Sequence, residues 1–163
     1  MATSLEKLRI GYEEKKKSRI GRMGPNGTNG FLKMEKRKAA GEKVLFPELS
    51  YQIINLAFEV HNQLGPGFTE DIYEKAFTVE LAAHQIPFEE QKAISIAYKG
   101  QFVGNYRLDL VVDNCIILEL KAVSELNDLF KHQLLSYLRA TGLRLGILIN
   151  FGSNRIESVR VVN

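Results

Sequence analysis

Apolar residues recur at three- and four-residue intervals through Leu49, Ile53, Leu56, Val60 and Leu64, the spacing that lines one face of an α-helix. Pro47 and Glu48 open that helix, since proline suits the first turn and an acidic side chain suits its positive end. Gly65-Pro66-Gly67 closes it, and a second helix is predicted from Thr69, a candidate N-cap, to about His84. Here two stripes compete for the core: Ile72, Ala76, Val79 and Ala83, and beside it Glu70, Tyr73, Glu74 and Phe77. The period then changes from helical to alternating. Phe88–Tyr98 reads as a strand with Ile94 and Ile96 on one face and Ala93 and Ser95 on the other, and Lys99-Gly100 turns it into the next. Tyr106–Lys121 reads as a hairpin about Asp113-Asn114. A helix capped by Ser124 or Asn127 runs to Ala140 and is closed by Gly142. Leu145–Phe151 is continuously apolar, as in a strand covered on both faces, and Ile156–Val162 is a last short strand. The order α-α-β-β-β-α-β(-β) describes an α/β sandwich with a mixed central sheet flanked by helices, its first three strands an antiparallel meander.

Charges interrupt the apolar hairpin. Asp109 lies within its first strand, and Glu119 and Lys121 lie in the second, on the face opposite Leu118 and Leu120. A charge in a half-buried strand costs several kcal/mol of desolvation, on the order of magnitude known for buried ions, unless it is paired or binds a counter-ion. Two carboxylates on neighbouring strands offer oxygen ligands to a hard divalent cation, Mg²⁺ or Mn²⁺. A lysine two residues beyond one of them can hold or deprotonate the attacking water. Asp…Glu-x-Lys is thus a minimal set for phosphodiester hydrolysis. On these residues alone, a salt-bridge ladder on a solvated strand explains the pattern equally well.

Charge divides the chain unevenly. Of its 22 basic and 19 acidic residues, 12 and 5 fall in residues 1–43, leaving 10 and 14 in residues 44–163. Residues 1–43, with Lys15-Lys16-Lys17, a Gly/Asn-rich stretch at 24–30 and Lys36-Arg37-Lys38, have too little apolar periodicity to fold and read as a basic, disordered leader. Such a leader can grip phosphates, or can be a solvated extension upstream of a true start at Met34. Residues 44–163 are expected to form one domain. The single cysteine, Cys115, excludes an internal disulfide and any multi-thiolate metal site within one chain, and reads as a structural thiol. No apolar run is long enough for a membrane span and no signal peptide opens the chain, so a cytoplasmic protein without membrane contact is expected.

Together these motifs resemble a known family. Gly67-Phe68-Thr69-Glu70-Asp71-Ile72-Tyr73 is similar to the signature of the GxxExxY proteins of the PD-(D/E)XK nuclease superfamily. Pro47–Ile54, the Gly65-Pro66-Gly67 turn, Asp109, Glu119-Leu120-Lys121 and His132-Gln133-Leu134-Leu135-Ser136-Tyr137 also resemble that family, over roughly 45–152. The resemblance implies a restriction-endonuclease-like fold and a metal-dependent nuclease using Mg²⁺ or Mn²⁺. Its partner would be nucleic acid, DNA in preference, and a second copy of the chain is a further expected partner. It implies Asp109, Glu119 and Lys121 as catalytic residues and Glu70, Asp109 and Glu119 as metal ligands. Gln133 and Tyr137 would bind substrate, as in the helicase-associated, RecB-type branch, with Tyr73 in support. The usual proline before the first aspartate is absent; Leu108 stands there. The alternatives are a nuclease-fold module that binds nucleic acid or protein without cutting, and a self-assembling structural protein.

Overall fold

The computed structural model describes residues 44–163; the basic leader expected over 1–43 lies outside the described residues. In chain order the elements are α1 (Pro47–Leu64), α2 (Glu70–Ala83), β1 (Phe88–Tyr98), β2 (Gln101–Val112), β3 (Ile116–Lys121), α3 (Asp128–Thr141), β4 (Leu145–Asn150) and β5 (Glu157–Val162). The strands form one sheet in the order β1-β2-β3-β4-β5. β1, β2 and β3 pair antiparallel, β3 and β4 pair parallel across the α3 connection, and β5 returns antiparallel to β4. This is the mixed-sheet α/β sandwich that the sequence predicts, with β1, β2 and β3 as its antiparallel meander.

Local chemistry fixes the ends of the elements. Lys99 and Gly100 at the first hairpin, and Asp113 and Asn114 at the second, all adopt positive φ, which matches tight turns to the right-handed twist of the strands. Asn127 caps α3 by accepting the backbone N–H groups of Leu129 and Phe130 at 3.0 and 3.3 Å, and Gly142, at φ 75°, closes it. Thr69 precedes α2 in extended conformation, but its hydroxyl donates to the Asp71 carboxylate rather than capping a backbone N–H.

Two apolar layers sandwich the sheet. On one side α1 and α2 cover Leu110, Val112, Ile116, Leu118, Leu120, Ile147 and Ile149; on the other, α3 covers Leu108, Val111, Ile117 and Leu148 through Leu134 and Leu138. Both β3 and β4 are buried along their whole length. The face of α2 that enters the core is Tyr73, Phe77 and Leu81, whereas Ile72 is 38% and Val79 66% exposed. The aromatic stripe therefore wins over the aliphatic one. Tyr73 stacks on Phe151 with centroids 4.8 Å apart, Phe77 packs edge-on to the same ring, and aromatic area outweighs that of small aliphatic side chains.

Candidate active site

β2 bends at Asp109. Its pairing with β1 passes from Glu90–Leu110 to Lys92–Leu108 and skips Gln91–Asp109, with Gln91 at φ 48°. Leu108 faces the α3 side while Leu110 faces the α1–α2 side, although residues two apart in a regular strand share a face. The ladder between β2 and β3 ends at the same point, with Leu110–Leu118. Beyond it, alternate N–H groups of β3 point toward the departing β2 and lack a strand partner.

Carboxylates take their place. Asp109 Oδ2 accepts the Leu120 N–H at 2.9 Å, and Glu70 Oε1, from the first turn of α2, accepts the Ala122 N–H at 3.3 Å. The residues on either side of Lys121 are thus held by acidic side chains from two other elements. Glu119 and Lys121 project to the opposite side from Leu118 and Leu120, as the alternation predicts, and form an ion pair at 2.7 Å. The Lys121 ammonium also lies 5.6 Å from the centroid of the Phe130 ring on α3.

Glu119 is 2% exposed; its Oε1 takes the lysine, while its buried Oε2 has no hydrogen-bond partner. Burial first, and the charge of Asp109 second, push its pKa up to about 7, against the opposing pull of Lys121. Burial likewise raises Asp109, which the Leu120 N–H and Lys121 only partly offset, with Glu70 adding repulsion. Burial works against the Lys121 charge, but the Glu119 hydrogen bond and the surrounding carboxylates outweigh it and raise its pKa. Asp109, Glu119, Lys121 and Glu70 therefore act on one another electrostatically.

Among the described residues, no three His, Cys, Asp or Glu side chains gather closely enough to hold a metal ion by themselves. Glu70, Asp109 and Glu119 are neighbours without forming such a cluster. The orphaned Glu119 oxygen nevertheless fits a cation, because a buried carboxylate oxygen left without a donor is costly unless a proton or positive ion meets it.

The remaining expected residues divide. Gln133 donates to the Tyr106 hydroxyl at 3.2 Å, and the Tyr106 and Tyr137 rings stack at 4.4 Å, so Gln133 and Tyr137 share one cluster. Tyr137 is buried, with its hydroxyl short of a well-aligned hydrogen bond, and burial raises its pKa. Glu119 contributes to that shift, which places the cluster within electrostatic reach of the carboxylates. Tyr73 points into the core: its hydroxyl donates to the Gly65 carbonyl at 2.7 Å and receives the Phe68 N–H at 3.2 Å. It pins the loop that launches α2 and so aims Glu70. Lys92, on β1, pairs with Glu89 at 2.6 Å.

Sequence reasoning missed three residues. Tyr106 joins Gln133 to Tyr137, and Phe130 underlies the Lys121 ammonium. Asn150, fully buried at the end of β4, accepts the N–H groups of Val123 and Gly152, both at 3.0 Å, and donates to the Val123 carbonyl and the Glu157 carboxylate. In the sequence it is only a lone amide closing the Leu-Gly-Ile-Leu-Ile run, with nothing to tell its partners.

Comparison with known proteins adds the family. A search of curated proteins returns no match. Among solved structures, the crystal structure of SSO0001 is similar at 22% identity and a TM-score of 0.48, over 58% of this chain and 50% of that one. The chain thus spans half the length of that protein. Residues 47–162, from the first helix to the last strand, match the sequence profile of the PD-(D/E)XK nuclease superfamily, and the chain belongs to that superfamily.

Proposed function

We propose that the domain hydrolyses phosphodiester bonds of nucleic acid with a divalent cation, Mg²⁺ or Mn²⁺. The observation that carries this reading is the buried Oε2 of Glu119, without a hydrogen-bond partner among the described residues, on a carboxylate whose other oxygen takes Lys121 and whose charge Asp109 repels. Asp109 and Glu119 would hold the cation, with Glu70 in support. Two protein carboxylates suffice for Mg²⁺, which keeps much of its water. When bound, the cation would polarise the phosphate and lower the pKa of the attacking water.

The chain's own residues supply the rest. Lys121, kept charged by its acidic neighbours, orients the water and offsets negative charge developing on the phosphate, so it acts as a cation and not as a base. Asp109 and Glu70, through the Leu120 and Ala122 N–H groups, fix the backbone that carries it. Gln133 would hold the substrate backbone, with the buried Tyr137, one helical turn on, positioning it through the Tyr106 ring on which Tyr137 stacks. Gln133 and Tyr137 resemble the RecB-type branch, and the Gly67-x-x-Glu70-x-x-Tyr73 segment the GxxExxY proteins, which favours DNA as substrate. The Tyr73 hydrogen bonds give that segment a physical purpose: glycine for the turn, tyrosine to pin it, glutamate delivered to the strand end.

The test is cleavage of single- and double-stranded DNA with and without Mg²⁺. Lys121→Ala should slow hydrolysis roughly 10²–10³-fold, the range for losing one preorganised electrostatic donor. Equal cleavage by wild type and variant would overturn the reading.

A further inference from the structure

Only Leu110–Val112 of β2 pair with β3, so residues 92–107 of β1 and β2 form a two-stranded ribbon that no third strand among the described residues joins. By its register Ile94, Ile96, Tyr98 and Tyr106 share one face, the face on which Tyr106 meets Gln133 and Tyr137 of α3. Ile94 and Ile96 are half-buried there, while Tyr98, at the tip, is 64% exposed with Lys99 Nζ 5.4 Å from its ring centroid. Phe102, opposite Ala97, lies on the reverse face. Between residues 92 and 107 the ribbon carries Lys99 and Arg107, besides Lys92, which pairs with Glu89, and no acidic residue, on a domain whose residues 44–163 hold 14 acidic and 10 basic side chains.

We infer that this ribbon is an arm for single-stranded nucleic acid, with a base stacked on Tyr98 and the strand led past Ile96, Ile94 and Tyr106 toward Lys121. The inference rests on the proposed nuclease reading and names the form of its substrate. An exposed aromatic ring beside a cation suits an unpaired base and its phosphate, since every base has a π-face and stacking is tolerant of sequence. A duplex keeps its bases stacked on one another and offers the ring nothing. The absence of acidic residues removes the repulsion that the rest of the domain presents to a polyanion.

The test uses the full chain and fluorescein-labelled oligodeoxythymidylate without divalent ions, so that binding is read without cleavage. Tyr98→Ala should raise Kd about tenfold, and Lys99→Ala should reduce the log–log salt slope by about 0.7. Phe102→Ala should leave both unchanged. Tyr98 and Phe102 are both exposed, and unchanged circular dichroism confirms the variants are folded. Unaltered binding by Tyr98→Ala, an equal loss from Phe102→Ala, or no binding by the wild type would each overturn the arm. So would a Tyr98→Ala variant that changes only the mass measured by light scattering, which would make the ribbon a contact between two copies. Cleavage that needs Lys121 but binding indifferent to Tyr98 refutes the arm and leaves the nuclease standing; the converse refutes the nuclease and leaves the arm.

Discussion

At the scale of single residues, burial disfavours the charge of both Glu119 and Asp109, but Asp109 also carries a backbone hydrogen bond. With a pKa of about 7 against an ordinary 4.5, Glu119 is protonated in both folded and unfolded chains below about pH 4.5, and ionised in both above about 7. Between those limits the folded state alone keeps the proton, so this group's contribution to stability falls as pH rises through the window, by about 3 kcal/mol in total. Denaturant titrations of metal-free protein at pH 5 and pH 8 should show that loss, and Glu119→Gln should largely abolish it. Mg²⁺ should restore more stability at pH 8 than at pH 5, since it competes with a proton only at the lower pH. Asp109 differs because its carboxylate carries a structural hydrogen bond to the Leu120 N–H. Asp109→Asn keeps an acceptor there and removes a charge that repels Glu119, so the metal-free variant should melt no lower than wild type. Asp109→Ala orphans the N–H and should cost about 1–3 kcal/mol. A melt in which the asparagine variant is as unstable as the alanine variant would show that the charge itself supports the fold. Both should lack Mg²⁺-dependent cleavage.

Among the elements, the end of β3 is held from both sides: by Asp109 and Glu70 on the β2 side, and through Val123 by Asn150 on the β4 side. Gly152 completes the clasp, for a Cβ there would stand 2.4 Å from the Val123 nitrogen and 2.5 Å from the Ala122 carbonyl carbon. Replacing Asn150 with leucine strips partners from the Val123 N–H and carbonyl and from the Gly152 N–H. It should cost about 3 kcal/mol, read in a thermal melt, and should slow cleavage even at temperatures where the variant is folded. Gly152→Ala should do the same by pushing the strand end aside. Neither effect was legible from the sequence. The carboxylates were, because a charge inside an apolar strand stands out against period-two alternation. Asn150 and Gly152 act through backbone groups some 30 residues away, and no local pattern encodes such a contact. The same reason hid the bend of β2 at Asp109, which rests on a skipped pair with Gln91. Helix α2 stayed open for another reason: its period was plain, but which of two adjacent stripes faces inward depends on Phe151, near the far end of the chain.

For the whole molecule, the order of elements followed from periodicity alone, since each strand and helix carries its own spacing and its own turn residues. What periodicity does not convey is how charge is shared between the domain and the 43 residues before it. Residues 44–163 carry a net −4 and the first 43 a net +7, so the two parts treat a polyanion oppositely at long range. Among the described residues, the two apolar layers draw on residues 45–161 and cover both faces of the sheet. A protein reduced to residues 44–163 should therefore unfold in one cooperative transition, with a denaturant midpoint close to that of the full chain. Its affinity for DNA should fall and its salt dependence flatten, because fewer condensed counter-ions are released when it binds. Its rate of Mg²⁺-dependent cleavage at saturating DNA should be unchanged, since every proposed catalytic residue lies between Glu70 and Tyr137. Comparing KM and kcat of the two forms across salt concentrations separates these effects. A fall in kcat on removal of residues 1–43 would mean that the basic segment contributes to the reacting centre and not only to capture of the substrate.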